Sequence, residues 1–119
     1  MKFVTPLALL LGSLSVSPAF AHAHLVKAAP AAGSTVTTPP GVLLMTFTEA
    51  LEVPFCTVTV TNTAGTAQQT AKPQAVPGHA DELSIPLHIT APGKYSVTWH
   101  ALSVDTHKTH GSFTFTVAG

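Results

Sequence analysis

Charge is scarce in this chain. Only 8% of its 119 residues are charged, and none of them is arginine. Without a basic patch there is nothing to hold a phosphate backbone, so no nucleic-acid partner is expected. Cysteine is nearly absent too: Cys56 stands alone, which excludes an intrachain disulfide. A domain this small then draws its stability from an apolar core or a bound metal. Tryptophan and tyrosine occur once each, as Trp99 and Tyr95. Apolar positions at helical spacing are missing throughout, and alternation with a period of two takes their place.

The first 21 residues do not read as part of that domain. Lys2 opens a short positive region, "FVTPLALLLGSLSV" is an apolar run, and Pro18 breaks it. Ala19 and Ala21 then present small residues at the two positions that define a cleavage site. The run is too short for a permanent membrane anchor. The expectation is a cleaved secretory signal over 1–21 and one domain over 22–119, exported to the periplasm. Its 98 residues carry four lysines against five carboxylates. The motif "AHA" (Ala21–Ala23) offers a second cutting point that would leave His24 first; Pro18 favours the cut after Ala21.

Alternation marks the strands. Leu43, Met45 and Phe47 share one face of "GVLLMTF"; Cys56, Val58 and Val60 share one face of "CTVTVT". Tyr95, Val97, Trp99 and Ala101 alternate with polar residues, as do Phe113, Phe115 and Val117. "ELSIPL" is a further strand whose Pro86 favours a sheet edge, and His88 is expected in a strand. The stretch "TAGTAQQTAKPQAVPGHADE" suits a weak strand and a loop. Turn signals at "PAAGS", "TPPG", "NTAG" and "APGK" separate the runs. About seven strands at this spacing predict an all-β, antiparallel sandwich or small barrel of the immunoglobulin-like type.

Seven histidines are many for so uncharged a chain. If the cut falls after Ala21, His22 offers its free amine and its Nδ1 to one ion, closing a six-membered chelate ring. Asp105 and His107, two apart, share a face if that stretch is extended. Nitrogen donors with one carboxylate suit a tetragonal Cu(II) site; zinc accepts the same ligands. A D-x-H pair by itself is more often a surface loop or an aspartate orienting a histidine. Its occurrence beside an N-terminal histidine in an exported β-domain favours the metal site. His79 with Asp81 offers either a weak surface metal contact or, as the favoured reading, a solvated loop, and Cys56 reads as a core thiol. His24 is a competitor for metal as the third residue of the cut chain, while His100 and His110 are open between a supporting role and plain exposure.

The stretches "HAHLVKAAPAAGS", "LMTFTEAL" and "GKYSVTWHALSVDTHKTHGSFTFTV" resemble the CopC family of periplasmic copper-binding proteins. The resemblance implies a Greek-key β-sandwich and one Cu(II) held by His22, Asp105 and His107, with Glu49 of the F-T-E-x-L segment as a weak or supporting ligand. It implies a carrier or buffer of copper in resistance and homeostasis, monomeric and not an enzyme, with a CopD-like inner-membrane partner. The chain departs from its relatives at Lys108, where proline is usual, at the added His110, and at His100, where many have arginine. Its long loop lacks the methionines that hold Cu(I) in some members, which points to the Cu(II)-only type. The enzyme alternative is a copper monooxygenase of the kind that grips copper with an N-terminal histidine. Trp99 and Tyr95, both inward by parity, leave no face for a polysaccharide.

Overall fold

The structure, a computed structural model, describes residues 23–119; the expected leader and His22 lie outside them. Eight strands follow in order: β1 (Leu25–Ala29), β2 (Thr35–Val36), β3 (Val42–Phe47), β4 (Thr57–Thr61), β5 (Gln74–Val76), β6 (His79–Pro86), β7 (Gly93–Leu102) and β8 (Lys108–Val117). One sheet has the order β1-β3-β6-β5 and the other β2-β8-β7-β4. The chain changes sheet at every connection except the β5–β6 and β7–β8 hairpins. A single 3-10 turn, Val53–Phe55, precedes β4, and no α-helix occurs among the described residues.

Parity builds the interior. Leu43, Met45, Phe47, Leu83 and Ile85 of the first sheet meet Val58, Val60, Tyr95, Val97, Trp99, Phe115 and Val117 of the second in one buried cluster. Threonines fill many of the intervening exposed positions, where β-branched side chains suit a pleated surface. Across the two layers Phe47 meets Trp99 edge to face at 5.1 Å, a geometry worth about 0.5–1.5 kcal/mol beyond the area buried. Trp99 also lies against Gly111, its register partner on β8. A β-carbon on residue 111 would come within 2.7 Å of Trp99 Cζ2, so glycine is required there.

Four local expectations change: His79 and Asp81, expected in a loop, open strand β6, where the chain leaves the Gly78 turn. Pro86 ends β6, which is an inner strand of its sheet, not an edge. At the last strand position its carbonyl still accepts from the Thr70 N–H at 3.0 Å, and the missing proline N–H interrupts no interior rung. His88 falls after β6, where its N–H donates to the Gln68 carbonyl at 2.9 Å. β2 runs parallel to β8, so the second sheet is not wholly antiparallel.

Backbone hydrogen bonds then gather one end of the sandwich. The Leu51 N–H donates to the Ala80 carbonyl (2.9 Å), the Glu52 N–H to Leu102 (2.8 Å), and the Val104 N–H to Ala50 (3.1 Å). The segment from Glu49 to Glu52 is thereby clamped between the start of β6 and the β7–β8 turn.

Candidate metal centre

The inward parity of β7 runs on past its last residue: after Trp99 and Ala101 comes Ser103, fully buried and the only buried polar residue of the described chain. A buried hydroxyl and its backbone need partners, and here they shape a turn. The Ser103 N–H donates to the His107 carbonyl at 3.0 Å, and its own carbonyl accepts from the Thr106 N–H at 2.8 Å. Ser103 Oγ donates to Asp105 Oδ1 and accepts from the His107 N–H at 3.3 Å. Thr106 takes a left-handed backbone, φ +70°, uncommon for a β-branched residue. Asp105 and His107 therefore meet across a tight turn, not along an extended strand as their two-residue spacing suggested.

The second carboxylate oxygen, Asp105 Oδ2, stands 3.3 Å from His107 Nδ1. The Ser103 hydrogen bond, assisted by the neighbouring imidazole, holds the Asp105 carboxyl below its ordinary value. Two donors about 2.0–2.1 Å from one ion lie about 2.9 Å apart at a right angle and about 3.3 Å apart at the tetrahedral angle. The pair thus has a separation that fits one ion, with side chains 37% and 48% exposed and open to it. Among the described residues no third histidine, cysteine or carboxylate completes a group with them.

The chain enters the sandwich beside this turn. Ala23 is buried, and its carbonyl accepts from Thr109 Oγ1 of β8 at 2.8 Å. The His24 N–H donates to Thr48 Oγ1, and the Thr48 N–H returns a bond to the His24 carbonyl, both at 2.9 Å. Glu49, half-buried, lies between Thr48, which holds His24, and Ala50, which holds Val104. His110 stands opposite His100 in the β7–β8 register; the two exposed rings stack with centroids 5.8 Å apart. His110 and His24 line one shallow groove with Trp99 and Lys108. Cys56 is buried, its thiol raised by desolvation, and Sγ faces the Glu52 carbonyl at 3.5 Å, in keeping with a core role.

Sequence reasoning missed three residues that assemble this end: Ser103, Thr48 and Thr109. Ser103 was legible, since parity from Tyr95 through Ala101 points it inward; the two threonines act through partners distant in sequence and left no local signal.

Comparison with known proteins follows the same segments. The CopC domain family matches residues 25–118. Protein YobA of Escherichia coli K12 is 37% identical over 112 residues, covering 93% of this chain and 90% of that protein. Copper resistance protein C of Escherichia coli is 38% identical over 121 residues, covering 92% of this chain and 94% of that one. The crystal structure of CopC from Methylosinus trichosporium OB3b aligns with a TM-score of 0.76 at 26% identity, covering 82% of this chain and 94% of that one. The match takes in the entering strand, the clamped Glu49–Glu52 segment and the whole hairpin that bears Asp105 and His107, and on it the chain belongs to the CopC family.

Proposed function

We propose that this protein binds Cu(II) in the periplasm and serves copper resistance as a carrier or buffer, holding one ion with His22, Asp105 and His107. The observation that supports this most is the Asp105–His107 pair, 3.3 Å apart on an exposed turn, beside the point where Ala23 is fastened to Thr109. Residue 22 directly precedes Ala23 in the sequence. In this reading removal of residues 1–21 frees the His22 amine, and amine and imidazole together supply the donors that the described residues lack.

The donor chemistry favours Cu(II) over Cu(I). Imidazole, amine and carboxylate are borderline to hard, whereas Cu(I) is selected by thiolate and thioether. Met45 is buried in the core, and the Cys56 thiol is buried as well. Glu49 belongs to the same end and would act as a weak ligand or a support. A monomer that passes copper to a CopD-like membrane partner completes the proposal. A carrier reading is preferred to a monooxygenase because Trp99 and Tyr95 are buried, leaving Phe55 as the one large exposed aromatic ring among the described residues.

The test is the chain beginning at His22 beside one with a glycine added before it, masses confirmed. The added residue turns the amine into an amide. Cu(II) affinity is expected to fall steeply and the electron paramagnetic resonance spectrum to lose a nitrogen ligand. Equal affinities and identical spectra would remove the amine from the site.

A further inference from the structure

Among the described residues, one other group of side chains outside that centre converges as metal ligands do. A histidine nitrogen of His79 and carboxylate oxygens of Asp81 and Glu82 lie within 4.8 Å of one another. His79 Nδ1 stands 3.7 Å from Glu82 Oε2. Consecutive residues of a regular strand point to opposite faces, so convergence of positions 81 and 82 with 79 is not what β6 would give by default. It occurs where the strand begins: Gly78 turns the chain at φ +81°. The β5–β6 register also slips there, setting His79 opposite Val76.

We infer that His79, Asp81 and Glu82 form a second site for a divalent first-row metal ion, with Cu(II) the ion it holds most strongly. Two features of the cluster carry the inference besides proximity. Its donors are mixed, one imidazole with two carboxylates, which suits Cu(II), Ni(II) or Zn(II) and is poorly matched to all-oxygen ions such as Ca²⁺ or Mg²⁺. Its carboxylates are only half-exposed, Glu82 at 22%, yet no lysine of the described chain comes within 4.0 Å of either. Lys27 lines the same surface groove as Glu82 without pairing with it. Among the described residues, only the His79 imidazole stands close enough to balance either carboxylate.

Ligands about 2.0–2.2 Å from one ion lie within about 4.4 Å of each other. Closure on an ion therefore needs only small rotations, and the imidazole, 59% exposed, is free to make them. Three protein donors leave coordination positions for water, so the site is weaker than a centre with a bidentate terminus and exchanges with solvent. The Ala80 carbonyl between these ligands accepts from Leu51, which fixes the cluster to the segment that also holds the Asp105 turn. The site stands on residues separate from those of the proposed copper centre and does not depend on that proposal.

The experiment is Cu(II) titration of the exported protein, labelled with 15N and followed amide by amide through paramagnetic line broadening. The first equivalent is expected to broaden Ser103 to Lys108, and the second Gly78 to Leu83. His79→Ala, and separately Glu82→Gln, should abolish the second event and leave the first untouched. A second event centred on His100 and His110, no second event, or broadening at Gly78 to Leu83 that survives His79→Ala would each overturn the proposal. Broadening at Gly78 to Leu83 with none at Ser103 to Lys108 would sustain it while removing the first site.

Discussion

Two imidazole–carboxylate pairs stand at one end of this sandwich, and they are built differently. Asp105 and His107 belong to a turn wound around a buried serine, which bonds the Asp105 carboxylate and the backbone of Thr106 and His107. His79 and Glu82 sit 3.7 Å apart on a glycine turn, and no hydrogen bond orients either carboxylate of that cluster among the described residues. The first pair is the more preorganised: the Asp105 carboxylate and the His107 backbone are held before an ion arrives, and less freedom is lost on binding. The second is assembled by proximity alone. On the two proposals, this difference in support would separate a primary centre from an accessory one, beside the difference in donors that His22 and the second carboxylate make.

The largest effect expected from breaking this contrast is loss of the primary pair. Asp105→Ala and His107→Ala should each weaken Cu(II) binding by more than about 100-fold, since even supporting residues around a metal are worth about 10–100-fold. Both variants should remain folded. Asp105→Ala costs more stability than His107→Ala, because it takes an acceptor from the buried Ser103 hydroxyl. His88→Ala, on an exposed residue beyond β6, is the control and should bind normally. Competition titration with a chelator measures the affinities, and thermal unfolding the stability.

Removing the serine should convert the first pair into something like the second. Ser103→Ala is expected to weaken Cu(II) about 10–100-fold while keeping every ligand. It should also raise the Asp105 carboxyl back towards the ordinary aspartate value, near about 3.9. In the metal-free protein that depressed carboxyl contributes stability in full above the ordinary value. The contribution disappears as pH falls from there through the lower native value. The stability gap between wild type and Ser103→Ala should therefore narrow below about pH 4. Denaturant unfolding as a function of pH checks this, with carbon-detected titration of Asp105 alongside.

How much of this was legible follows from the range over which each feature is determined. The core was, because a two-residue period needs only neighbours: Leu43, Met45, Phe47, Val58, Val60, Val97 and Trp99 all point inward as alternation dictates. Asp105 and His107 were found as a pair, although for a backbone reason that failed; the left-handed Thr106 and the Ser103 bonds bring them together, and no propensity announces either. The parallel rung between β2 and β8 joins Thr35 to Thr116, a partnership with no local trace. Glu82 escaped attention because strand parity separates it from Asp81, and only the register slip at His79 reunites them. His22, on which the proposed ligand set turns, lies outside the described residues.

The smallest effect should come from His24. In a chain beginning at His22, a rival arrangement would wrap Cu(II) in the terminal amine, two backbone amides and the His24 imidazole. That square needs the amides of residues 23 and 24 deprotonated and free to turn towards the ion. The His24 N–H is instead engaged with Thr48 Oγ1 at 2.9 Å, and Thr48 answers with a bond to the His24 carbonyl at the same distance. Ala23 between them is buried, its carbonyl held by Thr109. Forming the square would break these hydrogen bonds and draw an apolar residue out of the core, each hydrogen bond costing about 0.5–1.5 kcal/mol net. On the proposed function, the folded protein should therefore favour the site that includes Asp105 and His107. His24→Ala should leave both the electron paramagnetic resonance spectrum and the affinity of the first Cu(II) nearly unchanged. Thr48→Ala, which releases the His24 N–H, should give the square its best chance and add a minor second signal. Loss of the native spectrum in His24→Ala would mean that the terminal square, and not the turn wound around Ser103, holds the ion.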